Sequence, residues 1–182
     1  MVIETERLIL RKPLLSDAND LVEGGNDPEV HYNSFFLMKY PFGRKEAQEV
    51  INADKVSKNL KRFVIELRDI KKVIGLIDLY SINLKEKKLK LGYWIGKNYR
   101  RRGYATEAIK AALDFALKEF PVDKIIATTL VSNIPSQQLL EKNKFKQHRI
   151  LKNDRFLDGV YVDSVQFVLT REDFEKNCLE TR

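Results

Sequence analysis

Tyr93-Trp94-Ile95-Gly96-Lys97-Asn98-Tyr99-Arg100-Arg101-Arg102-Gly103-Tyr104-Ala105-Thr106-Glu107 is the stretch that decides how this chain is read. A strand-like run ends, a basic loop turns, and a helix begins at a glycine. The first N–H groups of a helix lack partners within the helix and lie at the positive end of its dipole. Together these features bind phosphate. Gly103 lets backbone approach a ligand with no Cβ in the way. Arg100, Arg101 and Arg102 add charge-assisted hydrogen bonds. The same residues also suit a plain helix start that needs glycine for its turn and carries surface arginines. Alone, the stretch predicts an anion site without naming the anion.

Upstream of it, residues 5–12 alternate around Leu8 and Leu10 and read as an opening strand. Ser16 caps a short helix that stops at Gly24-Gly25, and Asn26-Asp27-Pro28 restarts the chain as a turn or second short helix. An amphipathic helix spans 44–57, with Ala47, Val50, Ile51 and Val56 at helical spacing. Strands at 62–68, 73–81 and 88–95, joined by polar turns, form an antiparallel meander. Downstream, a long helix spans 104–119, with Ala108, Ala112, Phe115 and Ala116 on one face and Pro121 at its end. A β-branched strand at 124–131, a helix at 135–142, strands at 145–151 and 160–169 and a last helix at 172–176 complete the order. The expectation is one domain over 1–182, of α+β (α/β) class.

Composition narrows the function classes. The chain has 182 residues and is 43% hydrophobic, enough for a real core. No apolar run approaches the ~18 residues that span a membrane, and the N-terminus lacks the layout of a signal peptide. One cysteine, Cys178, allows no internal disulfide. These features predict a cytoplasmic protein. The net charge is +7, and the run from Lys85 to Arg102 holds eight cations and one anion, which equals that total. Such a run is either a solvated hairpin or an anion site. Aromatics are not interleaved with it as stacking platforms, which argues against nucleic acid. No metal-ligand spacing occurs.

Arg100-x-x-Gly103-x-Ala105 resembles the Arg/Gln-x-x-Gly-x-Gly/Ala signature of the GNAT superfamily of N-acetyltransferases. Gly92-Tyr93-Trp94-Ile95, the phrase Arg102-Gly103-Tyr104-Ala105-Thr106-Glu107-Ala108 and the opening Glu6-Arg7-Leu8-Ile9-Leu10-Arg11 resemble its ribosomal-protein N-terminal (alanine/serine) acetyltransferase subgroup. Asn133-x-x-Ser136, followed by Phe145, is similar to a second family motif about 30 residues downstream. The resemblance implies a mixed, mostly antiparallel sheet of six to seven strands flanked by helices on both faces. It implies acetyl-CoA as cosubstrate and no metal.

By that resemblance, the strand ending at Ile95 parts from its neighbour and the pantetheine arm lies in the gap. Ile95 and Gly96 are expected to offer backbone to the arm, and Asn133 a hydrogen bond. Arg100, Arg101, Arg102, Gly103, Tyr104, Ala105 and Thr106 are expected to hold the pyrophosphate. Relatives often protonate the leaving thiolate with a tyrosine, where this chain has Leu140; Ser136 is the substitute. Glu66 is the first candidate base, beside Asp78, Asp163 and Glu107, although Glu107 equally suits a brace for the loop. Lys144 replaces the usual glycine before Phe145, and Lys90 replaces a glutamate common in the subgroup. His31 and His148 read as surface or packing residues.

The function expected is transfer of acetyl directly to a primary amine, first of all a protein N-terminal α-amine. A polyamine or aminoglycoside acceptor stays open, since Asp154, Asp158 and Asp163 supply acidic groups. So does a non-catalytic acetyl-CoA-binding module. The aromatics Tyr32, Phe35, Phe36, Tyr40 and Phe42 either line an acceptor pocket or pack over the core. The resemblance leaves monomer and homodimer open.

Overall fold

The computed structural model describes residues 1–34 and 38–180, with the side chains of 54–56 and 177–180 excepted. Phe35, Phe36 and the side chains of Val56 and Cys178 therefore lie outside the described residues. One eight-stranded sheet organises the chain, in the order β1-β2-β3-β4-β5-β6-β8-β7. Its strands are β1 (Val2–Glu4), β2 (Leu8–Arg11), β3 (Leu60–Leu67), β4 (Lys72–Asn83), β5 (Lys88–Ile95), β6 (Lys124–Leu130), β7 (Lys146–Leu157) and β8 (Val160–Thr170). Neighbours run antiparallel except β5 and β6, which are parallel.

The sheet has one strand more than the six to seven expected. The addition is β1, a three-residue edge strand paired with β2, too short for alternation to reveal it. Residues 5–7, expected as strand, form the turn between the two, where the Thr5 N–H donates to the Leu8 carbonyl at 2.9 Å. β7 also runs six residues past the expected end at 151, up to Leu157. Asp158 and Gly159, at φ 49° and 82°, turn it into β8; two consecutive positive φ values suit a tight hairpin.

Helices cover both faces. α1 (Ala18–Gly25), α2 (Pro28–Asn33) and α3 (Arg44–Val56) lie on one. There Ala18, Leu21, Val30, Ala47 and Ile51 pack with Val64, Val73 and Leu76 of the sheet. α4 (Tyr104–Glu119) and α5 (Ile134–Lys142) cover the other face. α4 buries Ala108, Ile109, Ala112, Leu113 and Ala116 against Phe63, Ile65 and Ile77, and its three alanines let the helix sit close to the strands. α6 (Arg171–Glu180) ends the chain. Strand alternation sends Trp94 to the α1–α3 side and Tyr93 to the α4–α5 side.

A 3-10 turn, Leu15–Asp17, precedes α1, and the Leu14 N–H donates to Asp17 Oδ2 at 2.7 Å. Asp17 thus closes this turn, where Ser16 was expected. Gly24 and Gly96 let α1 meet the end of β5: a Cβ on Gly96 would stand 3.1 Å from the Gly24 Cα. Phe42 is buried at 1% exposure in the α1–α3 core and Tyr40 is 49% exposed, so of that aromatic group Phe42 packs.

Candidate active site

The parallel strands β5 and β6 pair only from Lys88–Leu91 to Lys124–Ala127. Beyond this, β5 continues to Ile95 on β4 while β6 continues to Leu130 on β8. The sheet therefore opens into a gap. Its mouth is flanked by the N-terminus of α4 and that of α5, the helix that follows β6.

Gly103 is the N-cap of α4, at φ 83°. This left-handed conformation costs most residues about 1–2 kcal/mol and glycine almost nothing. The N–H groups of Tyr104, Ala105 and Thr106 open the helix without intrahelical acceptors. Arg101 and Arg102 are exposed beside them, with the Arg102 guanidinium 5.9 Å over the Tyr99 ring.

Two ion-pair groups fix this loop from either side. Glu107 accepts from the Thr5 hydroxyl at 2.6 Å, the Arg7 backbone N–H at 2.9 Å and Arg7 Nε at 2.7 Å. Arg7 Nη1 also donates to the Arg102 carbonyl at 3.0 Å, and its guanidinium lies 4.7 Å from the Tyr104 ring centre. Burial pushes the Glu107 carboxyl up, yet the Thr5 and Arg7 hydrogen bonds outweigh it and hold the group below its ordinary range. Glu107 braces the loop.

Arg100, expected in the phosphate set, has its side chain engaged within the chain. Its Nε donates to the Ile95 carbonyl at 2.9 Å, its Nη2 to Asp27 at 2.9 Å and its Nη1 to Glu29 at 2.5 Å. The guanidinium is thus turned to α2 and its cap, away from the start of α4. The basic run also divides. Lys85, Lys87 and Lys88 sit at the β4–β5 hairpin, roughly 25 Å along β5 from the Gly96 end. There Lys87 pairs with Asp123 at 3.5 Å and Lys88 with Glu86.

The Gly96 N–H donates to the Ile74 carbonyl at 2.8 Å, and the Gly96 carbonyl accepts from Tyr99. Its backbone is therefore committed to β4 and the loop. By the period of two, the backbone of Tyr93 and the N–H of Ile95 face the gap instead, while the Ile95 carbonyl is taken by Arg100. At the α5 side, Asn133 Oδ1 accepts the Ser136 N–H at 3.2 Å and caps the helix. Ser136 Oγ lies 2.8 Å from the Tyr93 hydroxyl. Burial pushes the Tyr93 phenol up to about 12. Leu140 is in the core at 1% exposure, and Lys144 takes φ 67°, a left-handed conformation that glycine adopts freely.

A pattern described as an acetyltransferase (GNAT) domain matches residues 7–146. The chain belongs to the GNAT acetyltransferases. It is 31% identical over 178 residues to YnaD, an uncharacterised N-acetyltransferase of Bacillus subtilis, covering 96% of this chain and 99% of the relative. Its fold is similar to spermidine N-acetyltransferase of Vibrio cholerae in complex with CoA and spermine, with TM-score 0.82 and 23% identity over 94% and 99% of the two chains. It is also similar to RimL, a ribosomal L7/L12 α-N-protein acetyltransferase in complex with coenzyme A, with TM-score 0.84 and 16% identity over 93% and 98%.

Set in this acetyltransferase domain, the candidate bases are all paired. Glu66 is buried and bonded to Arg11 Nε at 2.7 Å, and Arg11 also holds Asp17 at 2.8 Å. The Asp17 and Glu66 bonds raise the arginine's pKa. Glu66, expected as a base, thus belongs to an ion network between β2, β3 and the turn before α1. Asp78 forms a two-pronged pair with Arg62, at 2.8 Å from Nε and 2.5 Å from Nη2. Asp163 accepts from Lys152 at 2.6 Å and the Asn153 N–H at 2.9 Å. Asp154 takes the Ser164 hydroxyl and lies 3.1 Å from Arg155 Nε, and Asp158 sits on the exposed hairpin tip.

His31 Nδ1 meets the Met38 carbonyl, and His148 is exposed on β7. Among the described residues no group of three His, Cys, Asp or Glu could hold a metal ion. No described helix is long and apolar enough to cross a membrane. Tyr80, on β4, is not among the expected site residues. The Tyr80 ring crosses over Gly92, where a Cβ would meet its Cε1 at 3.3 Å. A glycine inside a strand is the signal that a neighbour approaches closely.

Proposed function

We propose that the chain, working as one domain, moves an acetyl group from acetyl-CoA directly to a primary amine, and that this amine is a protein N-terminal α-amine. The observation that carries the reading is the gap between β5 and β6 with the N-termini of α4 and α5 at its mouth. The residues fit the cosubstrate. Gly103 holds φ 83° at the start of α4, and a Cβ there would stand 3.2 Å from Arg7 Nη2, so the position suits glycine. Arg101, Arg102 and the N–H groups of Gly103, Tyr104, Ala105 and Thr106 hold the pyrophosphate. Arg100 serves this site by fixing Ile95 and α2. The gap-facing N–H of Ile95, the backbone of Tyr93 and the amide NH₂ of Asn133 hold the arm. Ser136 stands by the departing sulfur. Gly96 shapes the gap without donating to the arm.

The reaction is attack of a neutral amine on the thioester carbonyl. N–H groups aimed into the gap stabilise the oxygen that gains charge. The thiolate leaves with an ordinary pKa near ~8.5, so weak assistance suffices. Positioning supplies most of the catalysis.

The paired carboxylates favour the α-amine. Near pH 7.5, about a third of an α-amine of pKa ~7.8 is neutral, against roughly 0.1% of an alkyl amine of pKa ~10.4. A site whose acids are neutralised by arginine or lysine offers little help in removing a proton. It also offers little unpaired charge to a polycation. Both facts select the less basic, singly charged acceptor.

The test is release of CoA thiol from acetyl-CoA with four acceptors: a peptide with a free N-terminus, the same peptide N-blocked but carrying lysine, spermidine, and an aminoglycoside. Turnover with the free N-terminus alone supports the reading. Turnover with spermidine or the aminoglycoside alone replaces the acceptor by a small molecule. Tight binding of acetyl-CoA with no turnover by any acceptor makes the chain a binding module.

A further inference from the structure

We infer that Tyr93 is a positioning residue whose hydroxyl holds the Ser136 hydroxyl in the orientation that meets the departing sulfur; this rests on the acetyl transfer proposed above. Tyr93 and Ser136 lie 43 positions apart, one on β5 and one in the first turn of α5. They meet across the gap where β5 and β6 have parted. The Tyr93 oxygen is 2.8 Å from Ser136 Oγ and 3.4 Å from the Ser136 carbonyl. The Asn133 cap fixes the Ser136 backbone from the other side, at 3.2 Å. A serine hydroxyl otherwise turns freely to suit its surroundings. Either hydroxyl can donate in this pair; in the proposed arrangement the phenol donates to Oγ, which leaves the serine proton to point into the gap.

Charge placement follows the same geometry. The Tyr93 ring is packed against the core on the α4–α5 side, and burial keeps its phenol protonated. A thiol of pKa near ~8.5 holds its proton less tightly than such a phenol. Full proton transfer from Tyr93 through Ser136 to sulfur therefore runs uphill. The pair keeps both protons and donates a hydrogen bond to sulfur as the carbon–sulfur bond breaks. The electron pair stays on sulfur, and the proton lost by the amine goes to solvent. Leu140, at the position where relatives often carry a tyrosine, is buried and has no proton to give. Tyr93 reaches the same neighbourhood from the opposite wall.

The experiment uses CoA and desulfo-CoA as probes of the full chain, as wild type, Tyr93→Phe, Ser136→Ala and the double variant. Phenylalanine keeps the ring, and melting temperatures check that each variant is folded. The preference for CoA over desulfo-CoA is expected to fall about fivefold in Tyr93→Phe, the effect of one net hydrogen bond. The double variant should be no worse than Ser136→Ala, because the two hydroxyls act as a unit. Thiolate absorbance against pH should show a bound CoA thiol more acidic than free CoA in the wild type, moving back toward free CoA in Tyr93→Phe. A packing role moves neither readout. A Tyr93→Phe protein with wild-type preference and thiol acidity overturns this inference and leaves the proposed function standing. A folded wild type that binds neither probe overturns both.

Discussion

Asn133 uses one amide for two tasks, and they can be separated. Its oxygen caps α5 by accepting from Ser136, and its NH₂ faces the arm in the proposed complex. Serine caps a helix about as well as asparagine but has no amide to donate. Asn133→Ser should keep stability within about 0.5 kcal/mol and weaken acetyl-CoA binding about fivefold. Thermal melts and calorimetry read the two effects, and unchanged affinity would leave Asn133 as a cap alone. Residues differed in how far they could be read from sequence. Gly103 was legible because a positive φ at a helix start is chemistry that glycine alone supplies freely. Arg100 was not: composition says that an arginine is there, but its direction depends on Asp27 and Glu29, more than 70 positions earlier. Tyr93 was hidden for the same reason, since its partner comes from another element. Lys144 stands out as a lysine at φ 67°, held in the turn before the buried Phe145.

Elements were most legible where the pattern was long. The meander β3–β4–β5 and the helix α4 lie within a few residues of their expected bounds, because alternation and helical spacing persist through them. β1 escaped because three half-exposed residues carry no period. The end of β7 escaped because its exposed polar residues do not look like a strand, although Asp158-Gly159 marks the hairpin. The joint between β2 and α4 could not be read at all, since Arg7 and Glu107 meet only when the sheet and helix have docked. That joint makes a pH prediction. A carboxyl held below its ordinary value, 4.5 here, contributes stability that is complete above the unfolded pKa. The contribution is lost as pH falls through the lower folded value. Glu107→Gln should cost about 1–3 kcal/mol at neutral pH, and the deficit should shrink as pH falls below about 4.5. Melting temperature measured from about pH 7 to about pH 3 checks this. Parallel curves for the two proteins would contradict it.

At the scale of the molecule, two cores on opposite faces hold one sheet and leave it open where β5 and β6 separate. The family and sheet class were legible because two motifs occur in order at the right interval. The net charge of +7 was less informative than it looked. Folding splits its basic run between a hairpin and the opposite end of β5, and turns Arg100 inward. The acceptor is least legible, because pairs such as Arg62 with Asp78 and Tyr80 over Gly92 come together only when the strands pair. The central claim is that the start of α4 holds the pyrophosphate of acetyl-CoA. The most direct measurement is calorimetric titration of acetyl-CoA into wild type, Gly103→Glu and Arg102→Glu, the last leaving the helix cap intact. The account predicts micromolar binding to wild type, no measurable binding to Gly103→Glu, and binding to Arg102→Glu weaker by about tenfold or more. Wild-type affinity in both folded variants, or no binding to folded wild type, would contradict it.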